Sequence, residues 1–174
     1  MKIIIETERL VLKEPTSHNL DELYVLQADP DVMKYIGSGP RTKETVRDAT
    51  ESAIKHYEDH GFSMCMLYEK ASGNFIGQAG LIYLAYNDKQ PDIEVGYRLH
   101  KRYWGRGFAT EIAKALISWG FQHLPIDHLI AVINPDNTKS EAVLKKLGMH
   151  YVGIIQAYGG EVMKFEILKN EWRE

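Results

Sequence analysis

The chain carries one cysteine, Cys65, among its 174 residues. No disulfide can form within it, and a cysteine-rich zinc module is excluded. Long apolar runs are also missing. The run Ile3-Ile4-Ile5 stops at Glu6, whereas a signal peptide needs roughly 7–15 apolar residues and a membrane helix about 18 or more. A cytoplasmic protein with no membrane partner is the expectation. Charge of one sign is lacking too, since 21 Lys+Arg against 24 Asp+Glu leave a net charge of −3. A general nucleic-acid binder carries a clear basic excess, so no direct nucleic-acid contact is expected. Apolar residues make up 44 % of the chain and charged residues 26 %, which excludes a disordered polymer. No repeat, low-complexity stretch or linker divides the sequence. At roughly 150 residues per domain, residues 1–174 read as one domain with a real core.

Local patterning gives the elements. Arg9-Leu10-Val11-Leu12-Lys13 is a short strand stopped by Pro15. Leu20, Leu23, Tyr24 and Gln27 follow helical spacing up to Pro30. Thr42 is a good N-cap for a second helix that ends at Gly61. Phe62 to Tyr68 and Phe75 to Leu84 form a hairpin across Ala71-Ser72-Gly73-Asn74. Ile93 to Leu99 alternates strictly, with Ile93, Val95, Tyr97 and Leu99 on one face and Glu94, Gly96 and Arg98 on the other. An amphipathic helix with Phe108, Ile112, Ala115, Leu116 and Trp119 on its apolar stripe follows. After it come a strand from Leu129 to Ile133, a helix from about Asn137 to Leu147, and two strands joined across Gly159-Gly160. The fold class is thus α/β (α+β), in the order β-α-α-β-β-β-α-β-α-β-β, and a mixed sheet with helices on its faces fits best.

The most informative segment is Arg102-Tyr103-Trp104-Gly105-Arg106-Gly107-Phe108-Ala109-Thr110. Its two glycines stand where the helix begins. The first amides of a helix lack intrahelical partners, and the helix dipole adds roughly half a positive charge there. Lys101, Arg102 and Arg106 place three cations in six residues of a net-negative chain. This combination suits an anion, most naturally phosphate. A P-loop signature is absent, and Thr110 occupies the third glycine position of a dinucleotide fingerprint.

The loop resembles the acetyl-coenzyme A motif of the GNAT superfamily of N-acyltransferases, Arg/Gln-x-x-Gly-x-Gly/Ala, matched by Arg102, Gly105 and Gly107. The block from Asn137 to Met149 is similar to the family's Asn-x-x-Ser/Ala…Lys-x-Gly-Phe segment. The opening Thr7 to Leu12 and the closing Phe165 to Trp172 resemble the branch of ribosomal-protein N-terminal alanine/serine acetyltransferases. The resemblance implies a GNAT-like, mostly antiparallel sheet with helices on both faces. It implies direct transfer of acetyl from acetyl-coenzyme A, the co-substrate, to a primary amine: a peptide or protein N-terminus, or a small amine. A homodimer is also implied. The mildly acidic chain gives only weak support to a cationic acceptor. A non-catalytic acyl-coenzyme A sensor or partner-binding module on the same fold is the alternative.

Residue roles follow from the resemblance. Tyr97, Arg98 and Leu99 would offer backbone hydrogen bonds to the pantetheine arm. Arg102 and the backbone of Gly105, Arg106, Gly107, Phe108, Ala109 and Thr110 would hold the pyrophosphate. Asn137 would bind near the thioester, and Lys146 would reach a phosphate. Leu144 stands where many relatives place a tyrosine acid, so protonation of the leaving thiolate passes to another group or to water. Ser140 is one candidate for that role, against an ordinary first-turn hydroxyl; Tyr151 and Tyr158 are others. Glu94 is the candidate general base; pairing with Arg98, or simple exposure, is the competing reading. The Tyr97 side chain points with the apolar face and reads as core, and Cys65 reads as a buried structural thiol. His56 and His60 stand four apart in His-Tyr-Glu-Asp-His, without the Glu that a zinc protease places directly after its first His. They read as a solvated helix face, and no metal is expected.

Overall fold

The computed structural model describes residues 1–174. It contains strands β1 (Ile3–Glu6), β2 (Leu10–Lys13), β3 (Met64–Glu69), β4 (Phe75–Tyr83), β5 (Ile93–Leu99), β6 (His128–Ile133), β7 (His150–Ala157) and β8 (Gly160–Leu168). The helices are α1 (Leu20–Ala28), α2 (Pro30–Met33), α3 (Lys43–His60), α4 (Phe108–His123) and α5 (Thr138–Lys146). Sequence patterning finds all of these except β1 and α2. Both are four residues long, too short to show a period. The caps are where residue type places them: the Thr42 hydroxyl accepts the Thr45 amide at 3.2 Å, and Gly61 closes α3 at φ 79°.

The strands form one sheet in the order β1-β2-β3-β4-β5-β6-β8-β7. Every pairing is antiparallel except β5 with β6. These two run parallel because α4 carries the chain across between them. Their contact is a single register pair, Glu94 with Ile130, whereas β4 and β5 share seven. Beyond that pair the two strands diverge.

Apolar side chains cover both sheet faces. The larger cluster, 26 residues, includes Leu10, Leu67, Leu81, Phe108, Ile112 and Phe165. A cluster of seven on the opposite face packs Leu23, Leu26, Met33 and Val46 against Met66 and Phe75. β4 is covered on both sides, and its first eight residues are buried. Gly80 is required there, because a Cβ would lie 1.9 Å from the Ser63 carbonyl oxygen of the hairpin partner.

The reading of His56 as solvated is corrected. His56 is 6 % exposed and sits among His60, Phe62, Tyr83 and Tyr86. Its Nδ1 lies 2.7 Å from the Phe62 carbonyl, and its Nε2 accepts the Tyr83 amide at 3.3 Å. These partners select the neutral ring with the proton on Nδ1. Burial holds its pKa below the ordinary value. The ring thereby fixes the segment that follows β4.

Gly80→Ala is expected to destabilise the fold by about 1–3 kcal/mol through overpacking, read as a melting temperature lower by several degrees. An unchanged melting curve would show that β3 and β4 can separate without cost.

Candidate active site

The loop from Trp104 to Phe108 turns through two left-handed glycines, Gly105 at φ 70° and Gly107 at φ 78°. Gly107 is the N-cap residue of α4 and offers no side-chain cap. The amides of Phe108, Ala109 and Thr110 open the helix without intrahelical acceptors. The loop is braced from behind. Arg9 donates from Nη1 to the Arg106 carbonyl at 2.9 Å and from Nε to Glu111 Oε2 at 2.6 Å. Glu111 also accepts from the Thr7 hydroxyl at 2.6 Å and the Arg9 amide at 2.9 Å. Burial pushes the Glu111 carboxyl up, but these donors outweigh it and hold the group below the usual carboxylate range.

Arg106 departs from its expected role. Its guanidinium turns away to Glu69 Oε1 at 2.6 Å and lies 4.6 Å from the centre of the Phe108 ring. The side chain braces the loop, and only its backbone belongs to the amide cradle. Arg102 is exposed, with its guanidinium 5.1 Å from the Tyr103 ring centre. Lys146 is exposed at the far end of α5 and does not line the central cavity. Sequence reasoning missed Lys139, whose ammonium stands 4.9 Å from the Trp104 ring and brings a cation to the glycine loop.

The parting of β5 from β6 opens the second part of the site. His100 donates to Ile76 of β4. Strand alternation therefore aims the backbone groups of Gly96 and Arg98 at β4, and those of Tyr97 and Leu99 at the open edge. The Leu99 carbonyl accepts the Trp104 indole N–H at 2.9 Å. β6 gives Tyr97 no register partner on that edge, which leaves room for an incoming extended chain. The Arg98 backbone belongs to the β4 ladder, so it cannot serve as an open-edge donor. Its side chain points to the other face, beside Glu94.

A cavity of about 440 Å³ runs through this gap. Tyr97, Asn137, Ser140 and Leu144 line one part of it; Glu94, Arg98, Arg41, Tyr86 and Tyr158 line the other. The Asn137 side chain caps α5 by accepting the Ser140 amide at 3.2 Å, which leaves its amino group free. The Tyr97 hydroxyl is buried without a hydrogen-bond partner, beside Ser140. Burial raises its pKa, which keeps it a proton-bearing donor.

Glu94 is 6 % exposed and forms no ion pair with Arg98. The Tyr158 hydroxyl donates to its Oε1, and Oε2 has no partner. Burial pushes its pKa up to about 7, against the opposing effects of the Tyr158 hydrogen bond and the Arg98 charge. Tyr158 in turn accepts the Ala85 amide at 3.1 Å. Burial and the neighbouring carboxylate raise its own pKa, so it acts as a donor to Glu94. Ala85, Tyr86 and Tyr158 all adopt left-handed backbone, with φ of 54°, 57° and 53°. Strain of this kind persists only where its surroundings enforce it, and it gathers here around one carboxylate. Tyr151 is exposed on β7 and stands apart from the site. Cys65 is buried, with its thiol pushed up to about 12 by desolvation, and is structural.

These parts fit acetyl-coenzyme A. The loop amides would face its pyrophosphate, the open edge of β5 would take its extended arm, and the orphaned Tyr97 hydroxyl and the free Asn137 amino group lie where that arm would end. Comparisons with known proteins agree. The family model described as the acetyltransferase (GNAT) domain matches residues 9–150. The chain is 31 % identical to YkkB of Bacillus subtilis, over 95 % of each chain. It is 28 % identical to the N-acetyltransferase p20 of Bacillus licheniformis, over 95 % of this chain and 96 % of that one. In fold it resembles RimL, the ribosomal L7/L12 alpha-N-protein acetyltransferase solved with coenzyme A, with a TM-score of 0.79 and 16 % identity over 96 % of this chain and 98 % of that one. The chain belongs to the GNAT family and is an acetyl-coenzyme A-dependent N-acetyltransferase.

Proposed function

We propose that residues 1–174 act as one catalytic unit in which Glu94 is the general base, the Tyr97–Ser140 pair supplies the proton for the leaving thiolate, and the acceptor amine enters on the Glu94 side of the sheet. The observation that carries this reading is the buried Glu94 carboxyl with one free oxygen, at the point where β5 and β6 part. An alkylammonium has a pKa near ~10 and must lose a proton before it can attack. A carboxyl titrating near 7 is ionised over the upper half of the neutral range and basic enough to assist. Tyr158 fixes the carboxylate plane by holding Oε1, so Oε2 faces the cavity. The proton travels from the amine to Oε2, directly or through a water. On the opposite side the Tyr97 hydroxyl, with Ser140 beside it, donates to the sulfur as charge develops there. This takes over the role that Leu144 cannot fill. Acetyl-coenzyme A supplies the acetyl group, its pyrophosphate held by the amides from Gly105 to Thr110 and its arm by the Tyr97 backbone and the Asn137 amino group.

The acceptor in this reading is a primary amine, on a peptide N-terminus or a small molecule. No helix is long and apolar enough to cross a membrane, and a cytoplasmic setting suits the reading. A homodimer is supported by edge strand β7, where Tyr151, Val152 and Ile154 stand 46–51 % exposed.

Three outcomes are expected. Glu94→Gln should lower kcat/KM by roughly 10²–10⁴-fold. In the parent, the rate should climb through pH 7 as the carboxyl ionises, and the variant should lose that limb; thiol release followed from pH 5.5 to 9 reads both. A variant with an intact limb would remove Glu94 from the chemistry. Tyr97→Phe should cut kcat by about tenfold or more while the calorimetric affinity for acetyl-coenzyme A stays within a factor of two or so; full kcat would place the proton donor elsewhere. Gly107→Glu puts a carboxylate and a strained φ at the amide cradle. It should abolish the thermal upshift that acetyl-coenzyme A gives the parent, and a normal upshift would refute the cradle.

A further inference from the structure

The Glu94 side of the cavity holds two guanidiniums, neither closed into an ion pair, and the carboxylate that acts on Arg98 is the half-ionised Glu94. Arg98 reaches it from β5, and Arg41 from the segment before α3. Thirteen ion pairs are formed across the molecule, those of arginine by Arg9 and Arg106, and neither Arg41 nor Arg98 has a carboxylate within 4.0 Å. A guanidinium carries five N–H donors. The one hydrogen bond of the Arg98 guanidinium is a long 3.9 Å approach to the Met33 sulfur.

Arg41 is placed by a buried relay. Its Nη1 donates to Gln27 Oε1 at 2.8 Å, and Gln27 Nε2 donates to Gln78 Oε1 at 2.9 Å. Gln27 and Gln78 are 2 % and 5 % exposed. The relay fixes one nitrogen of Arg41 and leaves the rest of the fork toward the cavity. Burial lowers the pKa of both arginines; the Arg41 charge lowers that of Arg98 further, and the Glu94 carboxylate opposes it. The other charged groups on the cavity wall are Glu94, which is half ionised at neutral pH, and Glu161, exposed at the rim. Two desolvated like charges held together at this cost imply an anion that arrives with the substrate.

We infer that the acceptor is an amine carrying its own anionic group, a carboxylate or a phosphate, which the Arg41 and Arg98 guanidiniums bind while the amine lies at Glu94. This deepens the reading above and rests on it, since Glu94 defines the amine end. Glu94 and Arg98 are four residues apart on one strand face, about 13 Å between Cα atoms, and the two side chains close part of that distance. The separation between amine and anion in the acceptor is therefore a readable specificity. The overall charge of −3 points the other way, toward cations, and the local pair overrides it because desolvated charges act at short range.

The test uses matched pairs with the full chain and saturating acetyl-coenzyme A. Glycine, β-alanine and γ-aminobutyrate are compared with their carboxamides, O-phosphoethanolamine with ethanolamine, and spermidine serves as the cationic probe. The best anionic acceptor should exceed its neutral partner by about tenfold or more in kcat/KM, the equivalent of one strong contact. The carboxylate and phosphate arms tell the two anions apart. Arg98→Gln and Arg41→Gln should bring that ratio toward one, chiefly through KM, and Arg98→Lys should restore part of it. A parent enzyme that prefers carboxamides or spermidine, or a ratio untouched in Arg98→Gln, would overturn the inference. If none of these amines turns over, the N-acetyl acids and N-acetyl amides are titrated into coenzyme A-loaded protein, and equal binding overturns it as well. Calorimetry with acetyl-coenzyme A alone separates the two readings. Absent binding to the parent protein defeats the proposed function, whereas normal binding with the wrong acceptor preference defeats only this inference.

Discussion

The single register pair between β5 and β6 is the constraint on which the site depends. Had the two strands zipped along their lengths, the backbone groups of Tyr97 would be spent in the sheet and Glu94 would face a closed wall. Because they part, one edge of β5 stays open in the middle of the molecule and a cavity passes between the two helical layers. Alternation along β5 then distributes the chemistry. Odd positions present Tyr97 to the side of α5, and even positions present Glu94 and Arg98 to the side of α1 to α3. A thioester carrier and an amine can approach the same point from opposite faces.

Holding this arrangement is costly, and the costs gather near Glu94. Each left-handed residue that is not glycine carries roughly 1–2 kcal/mol of strain. The orphaned Tyr97 hydroxyl adds about 1–3 kcal/mol. The packed β4, the 26-residue cluster beneath it and the His56 contacts supply the rigidity that keeps the strained Ala85–Tyr86 segment against Tyr158. Stability is traded locally for a carboxyl poised near neutral pH and for donors that await a ligand.

Much of this was legible in the chain because it is local. The caps at Thr42 and Gly61, the alternation of β5 and the glycine turn before α4 each depend on neighbours a few residues away. The family resemblance of the Arg102 and Asn137 blocks is carried by the same short-range chemistry. What escaped is long-range. The brace of Arg9 on Glu111 spans 102 positions, that of Arg106 on Glu69 spans 37, and the contact of Tyr158 with Glu94 spans 64. No spacing rule joins such residues. His56 was legible in part, since it continues the buried face of Val46, Thr50 and Ala53 on α3, but the aromatic groups of Phe62, Tyr83 and Tyr86 that enclose it come from beyond the helix. Arg98 looked like a strand residue available to a cofactor, and only the register with β4 shows which way its backbone and side chain divide.

The most direct measurement is a carbon-13 titration of the Glu94 side-chain carboxyl in the free protein, assigned by the signal missing from the glutamine variant. Desolvation in the gap between the strands should give a midpoint near pH 7. A midpoint near the ordinary value of 4.5 would mean a hydrated carboxylate, and the idea of a sheltered base at the strand fork would have to be abandoned.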